Sequence, residues 1–157
     1  MYIRTLRLRK PVLIAALLTA AAAVVLILTM TALRFARKDR IYRVRTEAQR
    51  QAVIAELGWK TAEKPSGHKT ITIPEEFDEV YKGYNALQKE QGFDLSKHKG
   101  EKAEVYTYPV YNYPGHKDCM QITLIGCEGI LAGGDVCCTE LDGFMQGLLP
   151  TSDSDSR

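Results

Sequence analysis

Residues 11–33, PVLIAALLTAAAAVVLILTMTAL, run for 23 positions without a charged side chain. At about 1.5 Å of rise per residue, about 20 apolar residues cross the hydrocarbon core of a bilayer. The apolar core of a secretion signal is shorter, about 7–15 residues. A cleavage point in the Ala-rich stretch at Thr19–Ala23 would leave Val24–Leu28 continuing the apolar run beyond it. The expectation is therefore an uncleaved, single-pass transmembrane helix at 11–33, with the lipid bilayer as its partner. No cysteine lies near it, so it has no acceptor for a lipoprotein anchor.

The net charge of +2 conceals a division. Residues 1–45 carry ten Lys or Arg against one Asp, a net +9, whereas residues 46–157 carry eleven against eighteen, a net −7. The basic residues flank the apolar run, where they can meet anionic headgroups. The acidic remainder argues against nucleic acid as a partner. Arg4, Arg7, Arg9 and Lys10 precede the run; Arg34, Arg37, Lys38, Arg40, Arg43 and Arg45 follow it. The positive-inside count leans towards a cytoplasmic C-terminal part. A short basic N-terminus ahead of one anchor favours the opposite, an extracytoplasmic domain at the cell membrane, and that orientation is the one expected. The organisation read from this division is a basic segment at 1–10, the transmembrane helix at 11–33, a basic juxtamembrane linker at 34–45, a domain at 46–149 and a polar tail at 150–157.

Within the domain, Thr46 and Gln49 have capping-box spacing, which predicts a helix over Glu47–Leu57 with Val53, Ile54 and Leu57 on its apolar face. Arg50 falls on the same stripe, with its stem over the rim and its head in water. Gly58 suits a left-handed helix end, and Trp59 can pack back on the last turn. Lys60–Ala62 and Lys69–Ile73 suit short strands. Pro74 suits the start of a second helix, followed by Glu75, Glu76 and Asp78 in its first turns. Phe77, Val80, Tyr81, Tyr84 and Leu87 then recur at three and four as a core face.

From Glu101 the period changes to two. Strands are expected over Glu101–Asn112, Cys119–Cys127 and Ile130–Leu141, with Pro109 at an edge or bulge. Glu128-Gly129 is a two-residue hairpin turn, and Asp142–Leu149 a closing helix or turn. The fold class is α+β: an antiparallel β-meander of three strands, extended by the short earlier ones, with two helices covering one face.

The segment GGDVCC, 133–138, tests the strand register. A plain hairpin about Glu128-Gly129 sets Cys119 opposite Cys138, in disulfide position, but puts Asp135 on the apolar face opposite Ile122. A buried unpaired carboxylate is costly. One extra residue at Gly133-Gly134, a β-bulge, sets Val136 opposite Ile122 and Cys138 opposite Met120, and turns Asp135, Cys137 and Thr139 outward. This register satisfies the pattern better. It leaves Cys119 and Cys137 only diagonally related, poor geometry for a bridge, so no disulfide is expected.

His116-Lys-Asp-Cys119 is the tightest cluster of ligand types, yet it lacks the paired spacing of zinc sites. No metal and no cofactor are expected. Cys119 or Cys137 with His116 could form a reactive thiol site, but no G-x-S-x-G, H-E-x-x-H, P-loop or G-x-G-x-x-G supports catalysis. Glu75-Glu76-x-Asp78-Glu79 reads as a charged helix start rather than an acid–base pair. Tyr106, Tyr108, Tyr111 and Tyr113, beside an edge, form a candidate partner surface.

Three segments carry a resemblance: IPEEFDEVYKGYNALQKEQGFDLSKHKG (73–100), YTYPVYNYPG (106–115) and EGILAGGDVCCTELDGFMQGL (128–148). Together they resemble an uncharacterised domain family of Gram-positive bacteria, across about residues 44–149. The blocks Asn85-Ala-Leu-Gln88, Asn112-Tyr-Pro114, Gly133-Gly-Asp135 and Leu141-Asp-Gly-Phe144 are the most specific. The resemblance implies a small α+β domain displayed at a membrane behind one N-terminal anchor, with no assigned reaction. The expected function is a non-catalytic binding or interaction domain at the cell envelope. A membrane-tethered thiol enzyme or redox protein, and a structural or assembly protein, are the alternatives.

Overall fold

The computed structural model describes residues 19–29, 41–116 and 118–148. The chain forms two compact units divided after Arg40. In the first, 19–29 form a helix (α1) with exposed side chains. Among the described residues no helix is long and apolar enough to cross a membrane. The rest of the expected span 11–33 lies outside them, as does the polar tail at 150–157.

The second unit contains α2 (Glu47–Glu56), β1 (Gly67–Thr72), α3 (Glu79–Glu90), a 3-10 turn (Leu95–His98), β2 (Lys102–Pro109), β3 (Met120–Cys127), β4 (Ile130–Cys138) and β5 (Met145–Gly147). It is an α+β fold. Its five strands form one antiparallel sheet in chain order, β1-β2-β3-β4-β5.

Local signals set several of these boundaries. Thr46 and Gln49 close the capping box on α2 as expected. Gly58, with φ +90°, and Trp59 return their N–H groups to Ala55 and Ile54 and seal the helix end. The chain reverses at Glu128-Gly129 with φ of 51° and 82°, the primed turn that matches strand twist.

Other boundaries depart from the sequence reading. α3 starts at Glu79, not at Pro74, because the Asp78 carboxylate accepts the Tyr81 N–H at 2.7 Å and caps the helix there. Lys60–Ala62 contributes only an isolated bridge, Thr61 to Val110. In place of a closing helix, β5 pairs with β4 across a tight turn in which Cys138 N–H donates to Phe144 C=O.

The two helices do not share a face. Val53 and Ile54 of α2 and its C-cap residue Leu57 pack with Tyr108, Ile122, Leu124 and Val136 on one side of the sheet. Leu95, with Tyr84 of α3 against it, packs with Ala103, Val105, Ile125 and Ala132 on the other. β4 is therefore almost wholly buried, and α3 buries Asn85 and Gln88 while Val80, expected in the core, is 78 % exposed.

The β3–β4 register is the bulged one: Ile122 faces Val136 and Met120 faces Cys138. The shift comes earlier than Gly133-Gly134. Ile125 faces Gly133 and Gly126 faces Leu131, so Ala132 is the extra residue.

Candidate functional site

The glycine pair that raised the register question has a packing role. β5 pairs only with residues 135–137 of β4. At the other end of the same edge, Val44 N–H donates to Gly129 C=O and Leu131 N–H to Tyr42 C=O. Between these two stretches Gly134 is served by side chains of α3 and its C-terminal cap. Gln88 Oε1 accepts its N–H at 2.8 Å and Gln91 Nε2 donates to its C=O at 3.3 Å. Gln91 also accepts the Leu148 N–H. Two glutamines thus complete a sheet edge that would otherwise leave buried backbone groups unpaired. A Cβ on Gly133 would meet Gln88 Oε1 at 2.8 Å, and one on Gly134 would run into the Thr123 carbonyl oxygen and the Leu148 methyls. Gly133 is thus pressed by the helix side chain, and Gly134 by β3 and Leu148.

Asp135 is the third member of this block. It is buried, against the expectation that it turns outward, because α3 covers that face. Tyr84 OH donates to its Oδ1 at 2.7 Å. Burial pushes the carboxyl up, opposed by the hydrogen bonds from Tyr84 and Cys137. The blocks Asn85–Gln88 and Gly133–Asp135 therefore meet as one polar docking joint rather than as a catalytic group. Asn85 fixes the turn after α3 by donating to Asp94 and accepting the Leu95 N–H.

The four tyrosines separate. Tyr108 is fully buried and accepts from Arg50 Nε at 2.8 Å while donating to Glu47 at 3.0 Å, so it is closed to any partner. Arg50 is itself buried, not rim-exposed as its position suggested. Its remaining donors reach the Val44 and Arg45 carbonyls and Glu47, and its guanidinium lies 3.8 Å from the Tyr106 ring centroid. Tyr106 also stacks on His68. Tyr113 lies parallel to Trp59 at 5.7 Å and donates to Gln146. Tyr111, at 60 % exposure, remains accessible.

A different exposed set lies at the far edge of the sheet. Leu141 is fully exposed at 103 %, and Met145 and Phe144 are exposed beside it on and before β5. The Phe144 ring contacts Tyr113 at 5.5 Å and His116 at 5.2 Å. The sequence reading ended a strand at Leu141, gave Asp142–Leu149 to a closing helix or turn, and used Leu141-Asp-Gly-Phe144 only for the family resemblance, not as a surface.

The cysteines correct a further expectation. Cys119 and Cys138 form a disulfide with Cα atoms 4.9 Å apart, although the bulged register holds. The two facts are compatible because Cys119 lies just before β3, where strict alternation no longer applies. There its carbonyl accepts the Thr139 N–H. His116 Nδ1 is 3.9 Å from Cys119 Sγ. Cys137, the other candidate thiol, is half-buried, and burial followed by the charge of Asp135 pushes it up to about 11. Cys127 is likewise pushed up to about 11 by burial and then by Glu101 and Glu128. Neither free thiol is set up as a thiolate nucleophile.

Among the described residues, two groups of donors approach metal-binding geometry, His116–Cys119–Cys138 and His98–Glu101–Cys127, each with ligand atoms within 4.8 Å of one another.

The family comparison bears on residues 53–132, which match the model of the domain of unknown function DUF4830. The chain belongs to the DUF4830 family. The match takes in α3, the central strands β2 and β3 and the start of β4, so both partners of the Gln88 contact lie at or next to the shared region. No curated protein and no solved structure matches the chain.

Proposed function

We propose that this DUF4830 protein is a single-pass membrane protein whose folded domain is a non-catalytic interaction module outside the cell membrane. The 23-residue uncharged run and its flanking arginines support the anchor. The observation that carries the interaction reading is the exposed apolar group Leu141, Phe144 and Met145, on and just before the short edge strand β5. Such an edge offers anchor side chains to a protein partner. Leu141→Asp combined with Met145→Asp tests it. The full chain, purified from detergent-solubilised membranes, is expected to retain a reproducible partner that the double variant loses while its melting temperature is unchanged. Equal recovery from both would refute the assignment of this edge.

A second reading, thiol–disulfide exchange, is favoured by the Cys119–Cys138 bond beside His116. An imidazole at 3.9 Å can stabilise Cys119 as the leaving thiolate. It requires a reduction potential well above that of structural disulfides, measured against a glutathione buffer.

A further inference from the structure

His116-Lys-Asp-Cys119 offers too few ligands in sequence to hold a cation. The fold supplies another: Cys138, at the end of β4, is brought to Cys119, and the three ligand atoms lie within 4.8 Å of one another. Their environments differ in a useful way. Cys119 and Cys138 are buried, at 7 % and 8 % exposure, whereas His116 is the more accessible of the three. The Tyr113 and Phe144 rings meet the imidazole edge-on at 5.7 and 5.2 Å, and the turn at Gly115, φ +76°, carries it over the sulfur. The site is thus floored by sulfur, walled by aromatic rings and open on one side.

We propose that reduction of the Cys119–Cys138 disulfide creates a binding site for a soft divalent cation of the zinc class, held by Cys119 Sγ, Cys138 Sγ and His116 Nδ1. A tetrahedral site with Zn–S near 2.3 Å and Zn–N near 2.1 Å needs sulfur and nitrogen roughly 3.6 Å apart. The 3.9 Å between His116 Nδ1 and Cys119 Sγ already approaches this. The sulfurs must part from a bond of about 2.05 Å to roughly 3.8 Å, a change that rotation of the two side chains supplies. Two thiolates and an imidazole leave the fourth position to water, a donor set known from open zinc sites. The chemistry balances. A dithiol gives two electrons and two protons to the disulfide and closes its own; the two new thiols then release their protons to solvent as the cation binds. The disulfide form cannot bind, so the site is gated by redox state. The inference does not rest on the membrane reading.

Cobalt titration of the full chain in detergent tests it, with a phosphine as reductant, which takes oxygen from water and leaves the same two thiols. Reduced chain is expected to develop thiolate-to-Co2+ absorption, displaced by Zn2+, and the unreduced chain none. His116→Ala, an exposed change that leaves the disulfide intact before reduction, is expected to weaken Co2+ binding by at least about tenfold. Cys138→Ser is expected to abolish the absorption, and Cys127→Ser and Cys137→Ser to leave it in place. No absorption in the reduced chain, absorption without reduction, indifference to His116→Ala, or loss in Cys127→Ser or Cys137→Ser would each overturn the proposal.

Discussion

Gly134→Ala tests the docking joint at its tightest point. Gly134 lies opposite Leu124 of β3. A methyl group there would overlap the Thr123 carbonyl oxygen and approach the Leu148 methyls at 3.0 and 3.1 Å. The carbonyl is backbone and cannot rotate away, so β3 and β4 must part or β4 must tilt towards α3. Overpacking of this kind costs about 1–3 kcal/mol. A tilt also strains the 2.8 Å bond from Gly134 N–H to Gln88, and an orphaned buried donor costs about 1–3 kcal/mol more. The two effects share atoms and do not add fully, so about 3 kcal/mol is expected. For a fold of about 100 residues that corresponds to a melting temperature lower by roughly 10–20 °C. Circular dichroism melts of the detergent-solubilised full chain measure it. Gly67→Ala, whose Cβ would meet Thr107 Cβ at an ordinary 3.7 Å, is the control. A Gly134→Ala melt within about 2 °C of the parent, or a loss equal to that of the control, would refute the argument that the β3 carbonyl and Leu148 leave room only for glycine here.

Gly83 lies in α3 with nothing within 4 Å of a prospective Cβ, so Gly83→Ala is expected to stabilise the fold by about 0.5–1 kcal/mol in denaturant titrations. Removing the disulfide by Cys119→Ser frees a loop with a sequence separation of 19, worth about 3 kcal/mol; the parent's melt is expected to fall on adding reductant and the variant's not to respond. Asp135, raised by burial, binds its proton more tightly folded than unfolded. Its contribution is therefore full below the unfolded value near 3.9 and is lost as pH rises through the folded one. Relative to Asp135→Asn, the parent is expected to gain stability on acidification from neutral pH, and a pH-independent difference between the two would contradict the burial account.

What the sequence disclosed and what it withheld follow a physical division. The capping box, the Gly58 helix end, the Glu128-Gly129 hairpin and the Val136–Ile122 register are all set by a few neighbouring residues or by one strand's alternation, and they are present as read. The placement of α3 was not legible in that way. Its apolar stripe suggested a core face, yet Asn85 and Gln88 are the buried residues, because the helix docks through hydrogen bonds to backbone. Once α3 was assigned to the same side as α2, Asp135 was read as solvated; Arg50 was read as a rim residue because its place on the α2 stripe does not disclose its buried partners Tyr108 and Val44. A signal was available: ILAGGDVCC is small or apolar on both faces, the pattern of a strand covered twice. The disulfide was missed because alternation was extended to Cys119, one residue beyond the strand. The exposed Leu141, Phe144 and Met145 follow from β5 being the last strand of the sheet, which no local pattern announces.

The central functional claim is that the β5 edge meets a protein partner in the membrane environment. A photo-crosslinking amino acid placed at Leu141, and separately at the likewise exposed Val80 on α3, tests it in intact membranes. The account expects a discrete crosslinked species from position 141 that is absent from position 80. No adduct at position 141, or the same adducts from both positions, would contradict it.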